Sequence, residues 1–261
     1  MNEADKEPVL SFWDHLDELR ACLIRMGLVT LVCALVAFLF KEEMFRIVLA
    51  PRDAGFVTYR WLDCCASWLG TGMGDALRFD VPLINTGLAQ QFTIHMKTSV
   101  HVGLLCASPY LLYVLFRFVS PALYNSERRL AVRLVGAGYV MFLLGAAVSY
   151  FLIFPLTFRF LGTYQVSTEV SNIITLESYM DTLLLMNLAM GLVFEIPVVC
   201  WLLGRFGLLS ASHMRRFRRH AVVAILVVAA IITPTSDVFT LLLVSFPMWT
   251  LYELSIRIIR D

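Results

Sequence analysis

Six stretches of this chain run almost free of charge: Leu23 to Phe40, Ser99 to Val119, Val132 to Phe154, Leu183 to Phe206, Ala221 to Ile232 and Phe239 to Ile256. A bilayer core of about 30 Å takes roughly 20 helical residues, so the first four predict membrane-spanning helices. The fifth has 12 residues and reaches about 18 Å at ~1.5 Å per residue, which predicts either a locally thinned bilayer or a shallow hairpin of runs five and six. The expected fold is all-α, a polytopic membrane protein with six transmembrane helices, the last two short. It forms a single integral membrane domain over residues 1–261, with a long outer loop over 41–98.

Composition sharpens this reading. The chain is 59% hydrophobic and 16% charged, against about 45–50% and about 25% in soluble domains. The opening residues are polar and acidic, and no small-residue cleavage site follows the first run, so the first span is expected to stay rather than leave as a signal peptide. The six cysteines show neither a disulfide framework nor a metal spacing. Cys64 and Cys65 are neighbours, which bridge only with strain.

Net charge is only +1, but its distribution orients the chain. With the amino terminus inside, 14 of the 21 basic residues fall on the inner side, including Arg117, Arg128, Arg129, Arg205 and the cluster from Arg215 to Arg219. The positive-inside rule then places both termini in the cytoplasm and the protein in the plasma membrane. The long outer loop carries Pro51, Pro82, "GTGMG", Tyr59, Trp61 and Trp68. Short helices along the outer interface suit it, because Trp and Tyr favour that depth. The second outer loop, 155–181, has one helix-start signal at "TLESY".

Acids at the inner surface are harder to explain. Ser11 with Asp14 fits a capping box, so a helix is expected to start near Ser11 and run unbroken into span one. Asp14, Asp17 and Glu18 follow, and complementing the helix dipole accounts for Asp14. Glu18 lies farther in, beside the membrane surface. In the first inner loop, "RFVSPALYNSERR", the two arginines serve topology, which leaves Glu127 unexplained. Glu195, in "FEIP", falls near the middle of the fourth run. An ionised side chain at such a depth costs at least about 2.5–3.5 kcal/mol, so Glu195 marks either a satisfied interhelical hydrogen bond or a functional site.

Four motifs, "HLDELR" (15–20), "FVSPALYNSERR" (118–129), "FEIP" (194–197) and "TPTSDVF" (233–239), resemble in order and spacing those of TatC, the multispanning receptor subunit of the twin-arginine translocase. The resemblance runs from about residue 11 to 256. It implies recognition of signal peptides with two consecutive arginines at the cytoplasmic face. It also implies assembly with single-span TatA/TatB-type subunits, self-association, and export of folded proteins. By the same resemblance Glu18 and Glu127 form the patch for the arginine pair, with Arg20 ordering it. Glu195 and Asp237 become polar contacts for partners. The family often has an amide four residues after the acid that matches Asp237, but Leu241 stands here.

Two other classes compete. A proton-coupled secondary transporter would use Glu195 as its proton site, and would show broken helices in two related halves; no internal repeat is visible. An intramembrane hydrolase needs a nucleophile with a base, or a metal pair such as H-E-x-x-H. Neither pattern is present, so no enzymatic activity, metal, cofactor or nucleic-acid partner is expected. Lys97 is expected to snorkel to the outer surface. His95, His101 and His213 have no ligand spacing and stay unassigned, and "RRFRRH" at 215–220 reads as a topology signal.

Overall fold

The computed structural model describes residues 12–68, 81–119, 128–165, 167, 172–233 and 237–259. Ser11, "GTGMG", Glu127 and Pro234 lie outside them, and so does the side chain of Asp14. Helix α1 (Phe12–Leu39) is continuous, as expected. Helices α2 (Lys41–Leu49) and α3 (Val57–Trp68), joined by a 3-10 turn at Ala50–Arg52, occupy the loop that was expected to hold short helices. Strand β1 (Leu83–Ile84) and helix α4 (Gln90–Val119) follow. The third apolar run forms α5 (Arg128–Val148), a π turn (Ser149–Ile153) and α6 (Phe154–Thr163). Next come β2 (Ile174–Thr175), α7 (Leu176–Val193), α8 (Ile196–Arg205) and α9 (Ala211–Arg216). The chain finishes with α10 (Arg218–Ile232) and α11 (Val238–Ile258).

Among the described residues five helical segments are long and apolar enough to cross a bilayer. Helix α10, expected as a further span, has 15 residues and reaches about 22 Å. It is short, as expected. Helix α11 is longer than its apolar run. It starts one residue earlier, behind the Asp237 cap, and runs two residues further, through Arg257 to Ile258, for 21 residues in all.

Two boundaries differ from the pattern, both for local reasons. Helix α4 starts nine residues before its apolar run because Oε1 of Gln90 accepts the backbone N–H groups of Thr86 (3.0 Å) and Gly87 (2.9 Å), fixing the turn that leads into it. The second outer loop begins later than Pro155, since the chain stays helical to Thr163. Proline has no N–H for the carbonyl four residues back, here that of Phe151. The hydroxyl of Thr58, from α3, donates to that carbonyl instead. Pro109 is accommodated in the same way inside α4, where Ser108 donates to the freed carbonyl of Leu105 at 2.7 Å. In lipid such substitutes are needed, because no water is available to the orphaned group.

The same region is tied down by phenols. Tyr179 donates to the carbonyl of Val48 (3.0 Å), Tyr150 to that of Ile47 (2.5 Å), and the Tyr59 hydroxyl lies 2.8 Å from the Pro155 carbonyl and 3.1 Å from that of Pro51. Burial holds the Tyr59 phenol well above its usual range, so it remains a donor. Strands β1 and β2 pair in parallel, Leu83 opposite Ile174 and Ile84 opposite Thr175. Thr175 caps α7 by accepting from Ser178 N (3.2 Å), at the start signal in "TLESY".

The main core gathers around α7, where Met180, Met186 and Met190 are fully buried against the π turn, α10 and α11. Helix α1 stands apart from it and packs along α4. A Cβ added to Gly103 would lie 2.6 Å from the backbone nitrogen of Ala34, so glycine is what permits this contact, in the manner of small residues between membrane helices. Gly103→Val is expected to force the pair apart and destabilise the protein by about 1–3 kcal/mol, the usual range for overpacking. Thermal unfolding in detergent, set against Gly27→Val at a position with open space around it, checks this.

Candidate functional site

Glu18 and Arg20 sit in the first three turns of α1, with both side chains exposed. Their depth follows from the packing of α1 on α4. Ala34 meets Gly103, while Phe38 stacks on His95 with ring centroids 4.0 Å apart, so the two helices are antiparallel. Sixteen residues down α1 from Ala34 is Glu18, and sixteen up α4 from Gly103 is Val119. Each step covers about 24 Å at 1.5 Å per residue. Glu18 is therefore level with Val119 at the end of α4, the residue that precedes "SPALYNSE" in the sequence.

Glu195 lies at the turn between α7 and α8, two thirds of the way along the Leu176–Arg205 span rather than at its middle. Pro197 sits in the first turn of α8 and cannot supply an N–H to the Val193 carbonyl. The chain tightens there, with Glu195 N donating to Leu192 O at 3.1 Å. The carboxylate is buried, and neither oxygen has a hydrogen-bond partner among the described residues. Its room comes from α5: a Cβ on Gly138 would stand 3.0 Å from Oε2 of Glu195 and 3.3 Å from the ring of Phe116. Among the described residues no interhelical hydrogen bond satisfies Glu195.

Asp237 caps α11, its Oδ1 accepting from Thr240 N at 2.7 Å. It does not join Glu195. Gly204, nine residues beyond Glu195, packs on Ile259 near the end of α11. Glu195 is therefore about level with Thr250, thirteen residues and roughly 20 Å of helix from Asp237. Leu241, where an amide was a family expectation, donates its backbone N–H to Asp237 O and packs against the main core.

Sequence reasoning missed two polar links. Lys97 is more than a snorkelling cation, since its ammonium reaches Asp181 at 2.9 Å and Glu177 at 3.7 Å, joining α4 to α7. The partners are well exposed, so the link contributes only about 0–1 kcal/mol. His101 lies 3.0 Å from Oδ1 of Asn187, whose amide nitrogen donates to the Ala146 carbonyl at 2.9 Å. That chain fastens α4, α7 and α5 together. A histidine within an apolar run was the available signal. Asn187→Leu is expected to cost about 1–3 kcal/mol by leaving His101 and a carbonyl unpaired. Adding His101→Phe should recover part of the loss in thermal unfolding.

Comparison with known proteins extends this picture. The family model described as "Sec-independent protein translocase protein (TatC)" matches residues 14–247. The protein of that name from Desulforapulum autotrophicum is 33% identical over 254 residues, 97% of this chain and 84% of its own length. Its Escherichia coli K12 counterpart is 30% identical over 261 residues, 98% of this chain and 89% of its own. The crystal structure of the twin arginine translocase receptor TatC in DDM superposes with a TM-score of 0.77 at 30% identity, covering 95% of this chain and all of that one.

Proposed function

The chain belongs to the TatC family of Sec-independent protein translocase proteins, and on that premise we propose that it is the signal-peptide receptor of a twin-arginine translocase. It is a multi-pass membrane protein and a component of protein transport rather than a catalyst. In the proposed role Glu18 and Glu127 hold the two guanidinium groups of a signal peptide at the cytoplasmic face, and Arg20 orders the patch. Glu195 and Asp237 receive single-span partner subunits, and copies of the chain associate.

The observation that carries this reading is the level of Glu18. It is exposed at the end of α1, abreast of the end of α4, eight residues before Glu127. A carboxylate there suits the planar, two-pronged guanidinium, and Glu127 is the acid proposed to share it. The transporter reading has less support. The helix break beside Glu195 has no counterpart at Pro109 or Pro247, each of which lies inside a continuous helix.

Orientation is the first thing to test. In intact cells the exposed Cys64 and Cys65 should react with an impermeant thiol reagent. Ser212→Cys, in a background without native cysteines, should resist it. The reverse pattern would place Glu18 on the wrong side for cytoplasmic peptides. A photoreactive residue at position 18 or 127 should then crosslink to the arginine region of a labelled signal peptide, and one at position 237 should not.

A further inference from the structure

Between α6, β2 and the first turns of α7 lies a cavity of about 470 Å³, within the usual range of small-molecule sites, about 300–1,000 Å³. Three rings form its apolar wall. Tyr179 meets Phe154 and Phe158 edge-on at 5.0 and 5.1 Å, and the two phenylalanines stack at 6.1 Å. Among the described residues that line it none is charged; beside Tyr179 the polar ones are Thr157, Asn172, Thr175, Ser178 and Thr182.

Thr157 is the informative one. Its residue is 1% exposed and its hydroxyl has no partner among the described residues. Thr98, Thr163 and Thr182 donate to the carbonyl one turn back; Thr157 and Thr240 do not, and of these two only Thr157 lines the cavity. A buried hydroxyl that lines a cavity and lacks an acceptor calls for one from outside the chain.

Position narrows what that acceptor is. Ser178 and Thr182 belong to the first two turns of α7, and the charges of Lys97, Glu177 and Asp181 cluster at the same height on α4 and α7. The cavity therefore lies at the interface, at headgroup depth. Below it the face of α7 continues through Leu185 and Leu192, 47% and 59% exposed, at the i, i+3 and i, i+4 spacings that place residues on one helix face. An uncharged acceptor at the interface with an open apolar track leading into the hydrocarbon is the outline of an acyl ester.

We propose that this cavity binds one glycerophospholipid of the adjacent leaflet, an ester carbonyl accepting from Thr157 Oγ1 and the acyl chain lying along Leu185 and Leu192. The proposal depends on the membrane setting and not on signal-peptide binding.

The full-length protein in phosphatidylethanolamine–phosphatidylglycerol vesicles, doped with a phosphatidylethanolamine carrying a diazirine in its acyl chain, provides the test. Adducts mapped by mass spectrometry should be enriched at 154–161 and 178–192 over the exposed apolar face of α1, which contacts lipid without a cavity. Thr182→Trp, which fills the cavity, should reduce them to the α1 level. Thr157→Val, isosteric and without the hydroxyl, should lower labelling roughly tenfold, as for one hydrogen bond of about 1.4 kcal/mol. An ether-linked probe without the carbonyl should lose as much on wild type, and no more on Thr157→Val. Labelling equal to that of α1, or unchanged in Thr157→Val and with the ether probe, overturns the proposal. So does finding that the cavity crosslinks to another protein and carries no lipid.

Discussion

Replacing both Glu18 and Glu127 by alanine is expected to weaken binding of a twin-arginine signal peptide by at least about a hundredfold, with the protein still folded. A charge-assisted hydrogen bond contributes about 1.5–3 kcal/mol, and about 1.4 kcal/mol corresponds to a tenfold change in affinity. Each single variant should therefore lose roughly tenfold or more, and the double variant the product of the two unless the carboxylates share one guanidinium. Glu18 is exposed in the free protein, so its removal leaves no buried group unpaired and should barely move the unfolding temperature. Peptide titration of the wild type, both singles and the double variant, beside thermal unfolding of each, checks this. Undiminished affinity in the folded double variant returns both acids to ordinary surface charge.

Glu195→Leu should do the opposite to stability and as much to function. The buried carboxylate has no partner among the described residues, and replacing an uncompensated buried polar group by an apolar one of similar size is commonly neutral or stabilising. The purified variant is expected to unfold at the same temperature as wild type or higher. Export should nevertheless fail, because the group proposed to receive a partner's polar side chain is gone; peptide capture should stay near wild type. Glu195→Gln keeps hydrogen-bonding capacity and should export. Loss of export in the glutamine variant would instead favour proton chemistry at this position, and normal export by Glu195→Leu would remove the residue from the mechanism.

The parts of this fold legible in the sequence are those set by local chemistry. Runs of apolar residues place the spanning helices, and Thr175 announces the start of α7. What stayed hidden depends on contacts between distant residues. Pro155 reads as a stop, and only the Thr58 hydroxyl, 93 positions away, removes the reason for stopping. The β1 and β2 strands are two residues each and exist because Leu83 meets Ile174. Lys97 and His101 read as isolated polar residues until α7 brings Asp181 and Asn187 beside them. At the candidate site the individual acids could be picked out. The orphaned state of the Glu195 carboxylate, and the space that Gly138 leaves for it, could not.

The central claim is that this chain reads two arginines as guanidinium groups and not as positive charge. Affinity of the detergent-purified protein for a signal peptide with its arginine pair, and for the same peptide with two lysines, measured at low and high salt, tests it most directly. Lysine keeps the charge but loses the planar fork. The prediction is a loss of at least about tenfold for the lysine peptide, one hydrogen-bonded contact or more, persisting at high salt where simple charge attraction is screened. Equal affinity for the two peptides, falling together as salt rises, would contradict it.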